Sequence, residues 1–277
     1  MAATTKRFLT TSTRPHSAPH QTFCLAVDGP AASGKSTTTR LVAQRLGLTY
    51  IDTGGLYRAN LLSQEEEEYS PTSKHALITS LEETAFTLRT FPSQGKEHLP
   101  ITRIYLNGED VSDDLRTPQI TAHVSHLAQI PEVRQVMLRK QRAMASPPSG
   151  SSMPPSFSPS SSSSKGIAMD GRDIGTTVFP HAHLKIFLSA DSLVRAQRRQ
   201  VEWGGTGSPE ELERIHRDII DRDRQDITRV ISPLRKANDA VELDTSSHSL
   251  AQIVNRIVQL ALERAPWLED SRLSEYK

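Results

Sequence analysis

Residues Gly29-Pro30-Ala31-Ala32-Ser33-Gly34-Lys35-Ser36 fit the spacing G-x-x-x-x-G-K-[ST], directly after an apolar run and before a helical pattern. Each position in that spacing has a chemical task. Glycines let consecutive backbone amides turn inward around phosphate oxygens, and the helix that follows adds the positive end of its dipole. The lysine reaches the β- and γ-phosphates, and the hydroxyl after it meets magnesium. With Lys35 and Ser36 in those places, the segment implies binding of a nucleoside triphosphate. Asp52-Thr-Gly-Gly55 also satisfies the D-x-x-G pattern of GTPases, but no Asn-Lys-x-Asp element follows to read guanine, which argues against a GTPase.

A kinase built on such a loop needs a second pocket that holds an anionic acceptor in line with the γ-phosphate, and cations over the group in transit. The arginines supply candidates. Arg58 follows Asp52-Thr-Gly-Gly-Leu-Tyr57, and Asp170-Gly171-Arg172-Asp173 closes an apolar run. Arg195, Arg198 and Arg199 share one helical pattern, and Arg222, Asp223, Asp226 and Arg229 share another. Each helical cluster alone reads first as a solvated, salt-bridged face. Arg172 and Asp173 differ because the carboxyl end of a buried parallel strand is where ligands bind, and Gly171 and Gly175 beside them suggest close backbone packing. Beside the phosphate loop, the joint pattern favours a site.

The elements that must position these residues follow from periodicity. Five short apolar runs, at 23–27, 49–51, 167–170, 184–188 and 240–243, alternate with helical patterns at 35–46, 118–128, 131–145, 191–201, 209–224 and 249–264. That alternation predicts an α/β fold with a doubly wound, five-stranded parallel sheet covered on both faces. Gly47 is the stop of the first helix, and Pro118 and Pro131 suit first-turn positions. Between 84 and 112 the period changes to two, ending at the turn Asn107-Gly108, so a small antiparallel insertion is expected there.

Composition bounds the rest. The chain has 277 residues with 33 basic and 32 acidic side chains, so its net charge of +1 gives no global attraction to nucleic acid or anionic membrane. No apolar run reaches the ~18 residues of a membrane span. A lone cysteine, Cys24, excludes a disulfide framework and any multi-cysteine zinc site, and its place in the first strand reads as an inert buried thiol. The spacings of His123 with His126, and of His181 with His183, lack partners for a metal set, and Trp203 and Trp267 read as packing or surface residues. Residues 1–27 carry Lys6, Arg7 and Arg14 and no acid, the bias of an organellar transit peptide. A mitochondrial location is therefore expected, with the cytoplasm as the alternative. Residues 146–164 hold eleven Ser and five Pro, too polar and broken to order a core, and read as a loop insertion. The acidic run at 65–68 reads as a solvated helix end or loop.

The stretches AVDGPAASGKSTT, YIDTGGLYR, LNGEDVSDDLRT, IPEVRQVMLRKQR, MDGRDIGTTVFPHAHLKIFL and RDRQDITRVISPL resemble, in order, those of the bacterial-type cytidylate kinase family. The resemblance spans about residues 24–263 and implies a P-loop core, an inserted nucleoside monophosphate subdomain and a helical lid. It divides the chain into a leader at 1–22, a kinase domain at 23–266 and a tail at 267–277. Within the domain lie the antiparallel insertion at 84–112, the Ser/Pro loop at 146–165 and the lid region at 195–229. It further implies transfer of the ATP γ-phosphate to CMP or dCMP with Mg2+, by a monomer with no nucleic acid or membrane partner.

Carried over residue by residue, the resemblance gives Gly29, Pro30, Ala31, Ala32, Ser33, Gly34, Lys35, Ser36 and Thr37 to the ATP phosphates, with Ser36 on the metal. Arg58 and Arg172 resemble the grip on the acceptor phosphate. Ser125, Arg134 and Asp173 match the group that reads cytosine, with Arg229 nearby, and Arg222 and Asp226 match contacts to the sugar. Lys35, Arg172, Arg195 and Arg199 would form the catalytic cation set. Thr53 stands where family members often have serine, which keeps a hydroxyl. Cytosine offers an N4 donor that an aspartate accepts, whereas uracil presents an O4 acceptor, so UMP is expected to be the poorer substrate. Two other readings remain: a related kinase acting on AMP or shikimate, and a nucleotide-binding regulator without rapid turnover. The second would leave the paired arginines without a purpose.

Overall fold

A computed structural model of the chain describes residues 22–62, 78–91, 101–117, 120, 124, 126–145 and 164–269. Five strands form one parallel sheet: β1 (Phe23–Asp28), β2 (Thr49–Asp52), β6 (Gly166–Gly171), β7 (Leu184–Ser189) and β8 (Val241–Asp244), in the order β2-β6-β1-β7-β8. β1 is central, paired in parallel to β6 on one side and β7 on the other. Burial on both faces explains its continuous apolar run, since parallel strands are covered by helices above and below. Phe23, Leu25, Ala26 and Val27 are all fully buried.

One face of the sheet is covered by α1 (Lys35–Leu46) and by the C-terminal helix, α6 (Leu250–Arg264), through Val42, Leu46, Val254, Ile257 and Val258. α1 ends where expected: Gly47, at φ 65°, turns its N–H back to the carbonyls of Ala43 and Gln44. The other face packs on α2 (Thr53–Leu62) and α3 (Pro131–Ala145), with Leu56, Val133 and Met137 in a second core. Pro131 opens α3, where its missing N–H costs nothing. The antiparallel insertion is present as β3 (Phe86–Phe91), β4 (Ile101–Leu106) and β5 (Glu109–Asp110), a three-stranded sheet in that order. Asn107 and Gly108, at φ 51° and 93°, make the turn the dipeptide predicts.

Beyond β7, α4 (Ser192–Glu202) and α5 (Pro209–Thr228) form a pair with its own small core of Ala196, Ile215 and Ile219. Asp191 caps α4, and Ser208 caps α5 with Pro209 in the first turn. α5 runs four residues beyond the expected end at 224, because Asp226 is buried on its last turn and accepts Leu234 N through its carbonyl at 2.8 Å. Of the expected helix at 118–128, residues 120, 124, 126 and 127 are helical. The acidic run at 65–68 and the Ser/Pro tract through residue 163 lie outside the described residues, as do the leader through residue 21, His123 and Ser125. Among the described residues, no helix is long and apolar enough to cross a membrane.

Candidate active site

The phosphate loop grows out of the end of β1. A Cβ on Gly29 would lie 2.1 Å from the Leu188 carbonyl oxygen of β7, so only glycine fits against that strand. Ala32 at φ 55° and Gly34 at φ 83° turn the loop's amides inward before α1 begins. Inside the curve, Lys35 Nζ donates to the Pro30 carbonyl at 2.6 Å and to Ser33 Oγ at 3.3 Å. Burial, and then the charge of Arg172, push the Lys35 ammonium well below its ordinary pKa. Ser33 is fully buried, and Thr37 lies half-buried in the first turn of α1.

Ser36 Oγ donates to Asp170 Oδ2 at 2.8 Å, and Tyr50 OH donates to Asp170 Oδ1 at 2.7 Å. Asp170 sits near the end of β6, where burial and the neighbouring Asp52 raise its carboxyl to about 6. Thr53 Oγ1 anchors to the Asp170 backbone oxygen at 2.7 Å. The Asp52-x-x-Gly55 pattern resolves into a helix cap: Asp52 Oδ1 accepts Gly55 N at 2.7 Å, while its Oδ2 holds Arg58 Nη2 at 3.1 Å.

The residues after β6 meet α3 and α5 in a buried ionic cluster. Arg172 Nε donates to Asp226 Oδ2 at 2.7 Å. Asp226 also lies 3.6 Å from Arg229 Nη1, and Arg229 Nη2 lies 3.8 Å from Asp173 Oδ1. The other oxygen of Asp173 pairs with Arg134, whose Nη1 also donates to the Ala128 carbonyl at 3.2 Å. Burial alone would raise Asp226, but Arg172, Arg222 and Arg229 hold its carboxyl below the usual range. Arg222 is also driven down, to about 9, by burial and by the charges of Arg172, Arg199 and Arg58. Buried polar atoms without a hydrogen-bond partner lie on Arg58, Arg134 and Arg222 at Nε, and on Arg229 at Nη2.

α4 and α5 close over the phosphate loop. Arg195 Nη1 contacts Asp223 Oδ2 at 2.6 Å and the Ala31 carbonyl at 3.1 Å, and Asp223 Oδ1 accepts Ala31 N at 3.4 Å. Arg199 meets Glu202 at 3.3 Å and lies 5.3 Å from the Trp203 ring centroid. Arg198 ties Thr245 to this side with bonds of 2.8 Å to Oγ1 and 2.5 Å to the carbonyl, and Thr245 Oγ1 reaches the Ser33 carbonyl at 3.3 Å.

Of the residues expected from sequence, the structure therefore brings Gly29 to Thr37, Thr53, Arg58, Arg172, Arg195, Arg222 and Asp226 to one side of the sheet's carboxyl edge. Arg134, Asp173 and Arg229 form the adjoining end of the cluster. Asp170 and Asp223 stood in the candidate clusters without a role of their own, and Tyr50 and Asp28 were not anticipated. An apolar strand ending in aspartate is a signal for Asp28, whereas Tyr50 reaches the site through a tertiary contact that no local spacing reveals. Cys24 has its thiol pushed up to about 12 by burial, in keeping with an inert side chain, and its amide donates to His183 Nδ1 at 3.1 Å.

A family model described as cytidylate kinase matches residues 25–152 and 158–263. The chain belongs to the cytidylate kinase family. Among similar relatives, the cytidylate kinase of Geobacillus thermodenitrificans is 41% identical over 242 residues, covering 87% of this chain and 97% of its own. The cytidylate kinase of Geobacillus sp. (strain WCH70) is 39% identical over 240 residues, 87% and 96% of the two chains. That of Listeria innocua is 37% identical over 242 residues, 87% and 97%. These cytidylate kinases come from bacteria, which have no mitochondria, so they overturn the mitochondrial location expected from the basic leader. The family match is interrupted at 153–157, inside the Ser/Pro tract.

Proposed function

We propose that the protein transfers the γ-phosphate of ATP to CMP or dCMP, releasing ADP and CDP or dCDP. The observation that carries this reading is the arginine cluster beside the phosphate loop, where Arg172 is held by Asp226 at 2.7 Å and the buried Nε atoms of Arg58 and Arg222 have no hydrogen-bond partner. Cations gathered this closely next to a phosphate loop need an anion, and a transferring phosphoryl group with its acceptor phosphate supplies it.

The proposed roles are those that the family resemblance implies. The backbone of Gly29 to Thr37 and Lys35 Nζ cradle the ATP phosphates, Lys35 exchanging its Pro30 carbonyl for phosphate oxygens. The Ser36 hydroxyl and the Asp170 carboxylate, 2.8 Å apart at the loop, are hard oxygen donors that fit Mg2+ and would hold it. Once bound, the ion would neutralise charge on the β- and γ-oxygens. Arg58 and Arg172 grip the acceptor phosphate, Arg58 oriented by Asp52 and Arg172 by Asp226. Arg222 and Asp226 meet the sugar. Asp173, Arg134, Arg229 and Ser125 read the base, with a carboxylate oxygen of Asp173 accepting from cytosine N4. Arg195 and Arg199 spread positive charge over the group in transit. No covalent intermediate is needed, because alignment and charge account for most of phosphoryl-transfer catalysis. The strands β3 to β5 would belong to the acceptor subdomain, and α4 with α5 would form the lid that excludes water from a monomeric enzyme.

An ADP-release assay with ATP, Mg2+ and a panel of CMP, dCMP, UMP, AMP and shikimate tests this. CMP and dCMP should stimulate strongly, UMP weakly, and AMP and shikimate not at all. A rate with CMP no higher than with ATP alone would sink the proposal.

A further inference from the structure

Asp173 stands immediately before the wide helical turn Ile174–Val178. An aspartate in that place ordinarily turns its carboxylate onto the exposed amides that follow. Here it does not: the Asp173 side chain makes no bond to the turn and is directed to Arg134 and Arg229 instead. The amides are satisfied from another strand. Ile174 N donates to Asp28 Oδ1 at 2.8 Å and Gly175 N donates to Asp28 Oδ2 at 2.7 Å. Asp28 is the last residue of β1, 5% exposed, and the next residue is Gly29 of the phosphate loop.

Both oxygens of one buried carboxylate are thus committed to two consecutive amides, a use that the phosphate chemistry does not require. The turn is held from behind as well: a Cβ on Gly175 would lie 3.2 Å from Lys185 Cδ and 3.4 Å from Asp28 Oδ2. Lys185 is itself fixed by the Pro180 carbonyl at 2.6 Å and Asp239 at 2.8 Å. The turn is closed by Thr177 N and Val178 N, which donate to the Asp173 carbonyl at 2.8 and 3.1 Å.

We infer that Asp28 is a positioning residue for recognition of the base: it caps the turn in place of Asp173 and so leaves the Asp173 carboxylate available to the acceptor. Because Asp28 directly precedes the phosphate loop, the same contact ties the acceptor side of the site to the donor side. Without it, Asp173 would bend back onto the Gly175 amide, a local bond that aspartate makes readily, and would leave Arg134 and Arg229. The inference rests on the reading of Asp173 as the residue that meets cytosine.

The test compares Asp28→Asn and Asp28→Ala in the wild-type and Asp173→Asn backgrounds, using kcat/KM for CMP and UMP and direct titration of ATP. In the wild-type background, Asp28→Ala should raise KM for CMP and lower the CMP:UMP ratio by about tenfold, the factor that loss of one cap represents. Asp28→Asn, which retains one acceptor oxygen, should give a smaller fall in the same direction. ATP is titrated alongside so that CMP and UMP are compared at saturating ATP, because Asp28 directly precedes Gly29 of the loop and its loss is felt there as well. In the Asp173→Asn background neither change should lower the ratio further. An unchanged ratio in either folded variant, or an equal fall in both backgrounds, would overturn the inference. Should Asp28→Ala not fold, as judged by its melting curve, the near-isosteric Asp28→Asn decides the matter. A wild-type enzyme indifferent to CMP would instead refute the reading of the acceptor, and with it this role.

Discussion

Replacing Arg172 by lysine separates two tasks that one guanidinium performs at once. Nε is committed to Asp226 at 2.7 Å, with side chains only 19% and 7% exposed, while Nη1 reaches the Gly171 carbonyl at a long 3.4 Å. The outer edge of the fork is thereby left for the acceptor phosphate. Lysine offers a single point charge that can stay with Asp226 or move to the phosphate, but cannot bridge both in the fixed geometry of a guanidinium. Charge-assisted hydrogen bonds contribute about 1.5–3 kcal/mol each, so losing two at the phosphate amounts to about 3–6 kcal/mol, or ~10²–10⁴ in kcat/KM for CMP. Stability should suffer far less, because Asp226 retains a lysine and Arg229 at 3.6 Å. A loss of about 1 kcal/mol would lower Tm by ~2–4 °C. ADP release at saturating ATP with varied CMP measures the first effect, and an ATP titration serves as the control. An Arg172→Lys enzyme within about threefold of wild type, or one whose ATP affinity falls as far as its use of CMP, would refute the argument.

Asp173→Asn should shrink the CMP:UMP ratio of kcat/KM by about tenfold or more, since a buried carboxylate acceptor for N4 becomes an amide that serves either base; a ratio unchanged from wild type removes Asp173 from base reading. Burial pushes Asp28 up to about 7, above the ~3.9 of an unfolded aspartate. Between those values the native chain holds a proton that the unfolded chain has lost. The group's contribution to stability is therefore complete below pH ~4 and is lost as pH rises through about 7. Melting curves of wild type and Asp28→Asn from pH 4 to 8 should show the wild type losing ground across that window, and a constant difference in Tm contradicts the assignment. Deleting residues 147–164 should leave kcat/KM for CMP nearly unchanged, because lengthening or shortening a loop changes closure entropy only logarithmically; total loss of activity would show that the tract has a folded role.

Where the chain's chemistry is local, it was legible in the sequence. The phosphate loop declares itself because its backbone geometry demands glycine at 29 and 34 and its function demands Lys35 and Ser36. Gly47 and the Asn107-Gly108 pair mark their turns because positive φ is a property of single residues. Periodicity was enough for five strands and for the change to an antiparallel insertion, though not for the order β2-β6-β1-β7-β8, which depends on crossovers between distant segments. The arginines of the site could be gathered from their spacing and from resemblance, but their partners could not. Nothing near residue 172 in the chain points to Asp226, nothing near 195 points to the Ala31 peptide, and nothing near 174 points to Asp28. Those pairings arise only when α5 and β1 are brought to the end of β6. The basic leader misled for the opposite reason, since composition alone does not identify a targeting signal.

A crystal structure with CMP and a non-hydrolysable ATP analogue measures the central claim, that a triphosphate site and a cytidylate site face each other across the carboxyl edge of the sheet. The account predicts the analogue's phosphates within the loop from Gly29 to Thr37, the CMP phosphate against Arg58 and Arg172, and the cytosine N4 on Asp173. A CMP phosphate bound anywhere other than beside Arg172, with the base away from Asp173, would contradict it.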